Sequence, residues 1–212
     1  MLILKVETMM KKVLLIISLI FMGSVLAGDA DLGKAKSGMC AACHGADGNS
    51  VNPIWPSLAG QHASFIARQL SLFKSGERKG TVMPGMVAGL NAEDMDNLGS
   101  YFASQKAKIG SADENLMVAG KALYQGGDSK MKIPACMACH GVTGQGNPLS
   151  GYPVLAGQHS AYVEQRLKAY RAGEVVANED DTNGKVMAGV AQYLTDDQIK
   201  ALANYVQGLY SE

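Results

Sequence analysis

The chain has 212 residues, 47% of them hydrophobic and 18% charged, with 19 basic against 19 acidic side chains. A chain with no basic excess has no electrostatic footprint for nucleic acid, so that class of partner is excluded from the reading. Only four cysteines and four histidines are present, and their placement carries most of the chemistry.

In chain order, the first element is a targeting segment. Lys11 and Lys12 precede an apolar run, Val13 to Met22, and Val25-Leu26-Ala27 places small residues where a signal peptidase reads them. Residues 1–27 are therefore expected to be a signal peptide cleaved after Ala27, with Met9 or Met10 as alternative starts. The apolar run is shorter than the roughly 20 residues of a spanning helix. No later segment has the length and apolarity to span either, so residues 28–212 are expected to be an exported, soluble chain. That length suits one large or two small domains.

The rest of the chain repeats itself. "CAACHG" at 40–45 returns as "CMACHG" at 136–141, and "PSLAGQHASFIARQLSLFKSGE" at 56–77 returns as "PVLAGQHSAYVEQRLKAYRAGE" at 153–174. "GLNAEDMDNLGSYFAS" at 89–104 returns as "YLTDDQIKALANYVQG" at 193–208, and "GKAKSG" at 33–38 as "GKALYQ" at 120–125. The order is conserved between the halves, so two related domains are expected, 28–110 and 111–212, joined through a polar segment containing Gly110. The first carries a slight positive balance and the second a negative one, an asymmetry that suits docking on a charged partner.

Each half reads as helical. Phe65, Ile66, Leu70 and Phe73 stand at helical spacing, as do Tyr162, Val163, Leu167 and Tyr170, with Gly76 and Gly173 as stops. Met95, Leu98 and Phe102 mark a later helix, matched by Ile199, Leu202, Val206 and Leu209. Thr195 to Gln198 has the form of a capping box. No sustained period-two alternation calls for strands, so the fold class is all-α. A few short helices per half make a thin core, and something large is expected to fill the middle.

The four cysteines form two Cys-x-x-Cys pairs, Cys40 with Cys43 and Cys136 with Cys139, and each pair is followed at once by histidine, His44 or His140. This is the attachment pattern of c-type haem. Two thiols add to the vinyl groups of one haem, and the adjacent imidazole becomes an axial iron ligand. A thioredoxin-like dithiol needs no trailing histidine and expects a βαβ context. A zinc site shared by both pairs would require two separate repeats to converge. Structural disulfides, ordinary in an exported protein, explain neither histidine. Two covalently bound haems are expected.

The sixth ligand separates a carrier from a catalyst, because a methionine closes the site whereas a vacant position admits small molecules. Met83 lies eight residues before Asn91, and Met187 eight before Thr195, the equivalent helix cap. That shared register singles out Met83 and Met187 as the iron ligands, in a loop after the long helix. Met86 aligns with Val190 and is the fallback for the first haem. Met39 and Met137 abut the attachment motifs, and Met95 sits on an apolar helix face.

Together these residues resemble the tandem dihaem cytochrome c4 family. Each half looks like a class I cytochrome c, and "CAACHGADGNS", the paired "LAGQ" segments and "YFASQK" carry the closer likeness across 28–212. The resemblance implies two domains related by a pseudo-twofold axis. It implies a periplasmic electron carrier, without substrate turnover, between a quinol-oxidising bc-type complex or another donor and a terminal oxidase, with loose attachment to the membrane surface left open. It suggests that the carbonyls of Pro56 and Pro153 hold the ligand imidazoles. It also suggests that Gly120, Tyr124, Leu202 and Tyr205 join the first and last helices of the second half. The first half has Gly33, Leu98 and Tyr101 there, but Ser37 replaces the aromatic, and Met39 is a candidate to fill the gap. His62 and His159 are read as helix starts or contacts to haem propionates, and Trp55 and Tyr101 as core or haem-pocket residues. The rival reading is a dihaem redox enzyme, a peroxidase or a sulfur-compound dehydrogenase. The second-half insertions at 126–134 and 178–185 are the best place for its substrate pocket.

Overall fold

The computed structural model describes residues 28–175 and 178–210; the expected signal peptide lies outside them. Among the described residues there are ten helices and no strand. The first half holds α1 (Ala30–Lys36), α2 (Gly38–His44), α3 (Ala63–Ser75), α4 (Met83–Val87) and α5 (Ala92–Ala103). The second holds α6 (Glu114–Gly126), α7 (Met137–His140), α8 (Ser160–Arg171), α9 (Thr182–Ala191) and α10 (Asp196–Gln207) in the same order. No described helix is long and apolar enough to cross a membrane.

The last helix of each half begins with a full capping box. Asn91 accepts from the Asp94 N–H while Asp94 accepts from the Asn91 N–H, and Thr195 and Gln198 do the same. Downstream, the residues expected from helical spacing are buried: Met95, Leu98 and Phe102 in α5, and Ile199, Leu202 and Val206 in α10. Ile66, Leu98, Tyr101 and Phe102 form one core. Leu123, Tyr124, Ile133, Val163, Leu194, Ile199, Leu202 and Val206 belong to the other. Neither core borrows a residue from the opposite half, so these are two domains in tandem.

Within each domain the first and last helices cross at a glycine. A Cβ on Gly33 would stand 2.0 Å from the Asn97 carbonyl oxygen, and one on Gly120 2.2 Å from that of Ala201. The expected aromatic contact appears in the second domain, where Tyr124 is fully buried and its ring centroid lies 5.3 Å from that of Tyr205. Met39 does not fill the place of the missing aromatic in the first domain, for it is 56% exposed. Instead Tyr101, from α5, donates to the Ala46 carbonyl at 2.8 Å, as Tyr124 donates to Gly141 at 2.7 Å. The same carbonyl region is thus held from opposite helices in the two domains. Trp55, 37% exposed, is not a core residue.

The domains meet through their two "AGQH" segments. The Gln158 side chain accepts from the Ser57 N–H at 2.9 Å and donates to the Ser57 carbonyl at 2.9 Å. Gln61 mirrors it, accepting from the Val154 N–H at 3.0 Å and donating to the Val154 carbonyl at 2.9 Å. A reciprocal pair of this kind is what a twofold relation produces. His62 and His159 do start α3 and α8, but the His159 ring turns to the other domain, where Nε2 donates to the Ser50 carbonyl at 2.8 Å. The connecting segment is bonded to both domains: Lys108 N–H donates to Asn49, and Gly110 N–H to the Gln207 carbonyl.

Both second-domain insertions are tied into the fold. At 126–134 the chain folds on itself through the Asp128–Ile133 bridge and buries Ile133 in the core. At 178–185 the buried Asp181 carboxylate caps α9 through the Gly184 N–H and pairs with Arg68 of the first domain at 2.7 Å.

The glycine crossings give a direct test. Gly33→Ala and Gly120→Ala each push a methyl into backbone, and overpacking of this kind costs about 1–3 kcal/mol. Gly38→Ala meets nothing within 4 Å and serves as the control. Denaturant midpoints of the holoprotein should fall for the first two variants and stay put for the third.

Candidate functional site

The two attachment motifs are helical turns. Cys40, Cys43 and His44 all lie in α2, and the i, i+3, i+4 spacing puts both thiols and the imidazole on one face. Cys136 is the cap of α7, and Cys139 and His140 follow within it on the same spacing. Each helix stops directly after its histidine at a glycine with positive φ, Gly45 at 80° and Gly141 at 79°. At Gly45 a Cβ would also stand 2.4 Å from the Asn49 carbonyl oxygen, so the glycine of "CHG" is a steric requirement.

Both histidines are buried, and each is held through one nitrogen. His44 Nδ1 lies 2.8 Å from the Pro56 carbonyl oxygen, and His140 Nδ1 lies 3.0 Å from that of Pro153. A carbonyl only accepts, so Nδ1 carries the proton and Nε2 keeps its lone pair. This is the arrangement that the family resemblance implies, and a carbonyl so placed fixes the tautomer and orientation of the ring. Burial holds both imidazoles below the ordinary histidine range, against the opposing pull of the proline carbonyls. They are neutral near pH 7, the form that ligates.

The thiols favour covalent attachment over the alternatives. All four cysteines are free, with no disulfide within either pair. Burial raises the Cys40 thiol and pushes Cys136 up to about 11, the opposite of the lowered value a redox-active dithiol needs. Among the described residues no three His, Cys, Asp or Glu side chains converge as a metal cage, so the two pairs do not share a zinc site. Two unpaired thiols and a pre-oriented imidazole on one helical face fit a c-type haem in each domain.

The expected methionines are not in a loop. Met83 opens α4, with Pro84 following it, and Met187 sits within the longer α9. Helix α4 has no side-chain cap, so no capping signal marked it in the sequence. The register between the copies holds: Met83 lies four residues before the buried Val87, and Met187 four before the buried Ala191. Both methionines are half-buried, as is Met86. Met39, Met117 and Met131 are exposed, Met95 is core, and Met137 packs against the second core.

Known proteins carry the same plan. A sequence profile of the cytochrome c family matches residues 30–106 and again 117–210. Cytochrome c4 of Pseudomonas aeruginosa is 42% identical over 184 residues, 87% of this chain and 90% of that protein. The chain belongs to the cytochrome c4 family. The crystal structure of reduced recombinant cytochrome c4 from Pseudomonas stutzeri superposes with a TM-score of 0.82 at 40% identity, over 87% of this chain and 100% of that one. A protein of Stutzerimonas stutzeri named thiosulfate dehydrogenase electron acceptor is 34% identical over 171 residues, 78% of this chain and 76% of its own. As a cytochrome c4, the chain carries two covalently bound c-type haems and is an electron-transfer protein.

The sequence reading missed the interdomain contacts of Gln61, Gln158, Arg68 and Asp181. The repeated "LAGQH" was visible, but repetition alone does not say that each copy faces the other. The attachment chemistry has a simple readout. The intact holoprotein should weigh its processed chain plus two haems under denaturing mass spectrometry. The paired substitutions Cys40→Ser/Cys43→Ser and Cys136→Ser/Cys139→Ser should each remove one haem and leave the other.

Proposed function

We propose that this cytochrome c4 is a periplasmic carrier that relays electrons from a quinol-oxidising bc-type complex to a terminal oxidase, with both irons closed and no substrate turnover. The domains are 28–110 and 111–212, exported behind a signal peptide at 1–27. Each haem, when bound, supplies a one-electron Fe(III)/Fe(II) couple. Cys40 and Cys43 tether one haem, and Cys136 and Cys139 the other. His44 and His140 offer Nε2 from one side, with their tautomer held by Pro56 and Pro153. Met83 and Met187 would each supply a thioether sulfur to the iron of their domain. A closed thioether-ligated site raises the potential and leaves no position for a substrate.

The observation that carries this reading is the duplicated ligand set. Histidine is held by a proline carbonyl in both domains, and methionine stands in the same register ahead of a buried residue in both. Haem chemistry on a substrate needs an open iron position, and the duplicated ligand set offers none; of the two insertions, one sends Ile133 into the core and the other makes an interdomain ion pair. A second donor is favoured by one relative: the likeness to a thiosulfate dehydrogenase electron acceptor makes a sulfur-compound dehydrogenase an alternative source of electrons for the same carrier.

Optical spectra test the ligands. The oxidised holoprotein should show the weak far-red band of methionine sulfur bound to ferric haem iron. Met83→Ala and Met187→Ala should each remove about half of it, while Met86→Ala leaves it intact. Loss of the first-domain share in Met86→Ala, with Met83→Ala unaffected, would move that ligand to Met86.

A further inference from the structure

The crossed glutamines do more than join two surfaces. The Pro56 carbonyl that holds His44 and the Ser57 N–H that binds Gln158 belong to one peptide group. So do the Pro153 carbonyl that holds His140 and the Val154 N–H that binds Gln61. An amide is a resonance unit: an acceptor on its N–H draws charge onto its oxygen and makes that oxygen a better acceptor in turn. Chains of hydrogen bonds reinforce one another by roughly 10–30% per bond. The connection therefore runs from glutamine Oε1, through one peptide group, to the imidazole Nδ1–H of the other domain.

We propose that Gln61 and Gln158 are positioning residues that set the reduction potential of the opposite domain's haem. Gln158, in the second domain, strengthens the hold of Pro56 on His44. Gln61, in the first, strengthens that of Pro153 on His140. A stronger hydrogen bond at Nδ1 gives the imidazole more imidazolate character and makes Nε2 a stronger donor to iron. That favours the ferric state and lowers the potential. Each haem is thereby tuned from outside its own domain, and the tuning depends on the domains staying docked.

The same atoms also secure the interface. Each Oε1 takes a second N–H from its own domain, His62 for Gln61 and His159 for Gln158, at 3.0 and 3.1 Å. That fixes the orientation of the amide. Docking does not rest on the glutamines alone, since Arg68–Asp181 and His159–Ser50 also cross the interface. A single glutamine can therefore be replaced with the domains still held.

The inference rests on His44 and His140 being iron ligands, and the experiment separates the two. In the full-length reduced holoprotein, proton NMR should find both imidazole Nδ1–H resonances at positions shifted by the haem ring current; their absence in the wild type would refute ligation itself. Gln158→Met keeps the side-chain length and removes the acceptor. It should raise the potential of the first-domain haem and shift the His44 Nδ1–H upfield, with the second-domain haem and His140 unchanged. Gln61→Met should do the reverse, so each variant checks the other. Equal shifts of both haems in either variant, a shift confined to the variant's own domain, or unmoved Nδ1–H resonances with wild-type ligation intact would overturn the proposal.

Discussion

The hydrogen bond between the imidazole of each Cys-x-x-Cys-His motif and a proline carbonyl, made once in each domain, is the constraint around which this protein is built. It fixes which histidine nitrogen bears the proton and which keeps its lone pair. It can form only because the attachment helix ends at the histidine, and that ending needs a glycine with positive φ. It also requires the chain to return past the imidazole, which the loop does by bonding to Gly48 and Gly144: Leu58 and Ala59 donate to the Gly48 carbonyl, and Leu155 and Ala156 to that of Gly144. Glycine, histidine and proline are separated in sequence but belong to one local device.

Around that device the two domains reach similar packing with different residues. The first and last helices cross at Gly33 in one domain and Gly120 in the other, with backbone in direct apposition. A tyrosine then ties the helix pair to the chain just after the attachment turn. In the first domain it comes from the last helix, as Tyr101, and in the second from the first helix, as Tyr124. The substitution of Ser37 for an aromatic is therefore compensated by hydroxyl geometry on the facing helix and not by a neighbouring side chain. Duplicated domains can thus drift apart in residues while keeping the carbonyl contact that the tyrosine supplies.

Much of this was legible in the sequence, for physical reasons that differ from element to element. The repeat, the attachment motifs, the capping boxes at Asn91 and Thr195, and the apolar faces of α5 and α10 are local signals. They depend on spacings of a turn or two, which a sequence displays directly. The proline partners of His44 and His140 came from the resemblance, because nothing local links a histidine to a carbonyl twelve or thirteen residues on. The segments carrying Met83 and Met187 read as loop: α4 is five residues long and has no side-chain cap, whereas α9 has ten residues and a cap at Asp181 that the sequence reading did not use. What stayed hidden was the interface. His62 and His159 read as helix starts or contacts to haem propionates, and both do start helices, but the His159 ring and both glutamines also reach across to the other domain. Contacts between residues about a hundred positions apart leave no periodicity, and a duplicated motif looks the same whether it faces inward or toward its copy.

The account makes the chain a relay of two closed one-electron centres, and a spectroelectrochemical titration of the full-length holoprotein under carbon monoxide tests that claim most directly. Two reversible one-electron waves, each accounting for one haem and neither displaced by carbon monoxide, are the predicted result. A wave that moves to higher potential under carbon monoxide, accompanied by the spectrum of a carbonyl adduct, would show an open iron and contradict the carrier reading.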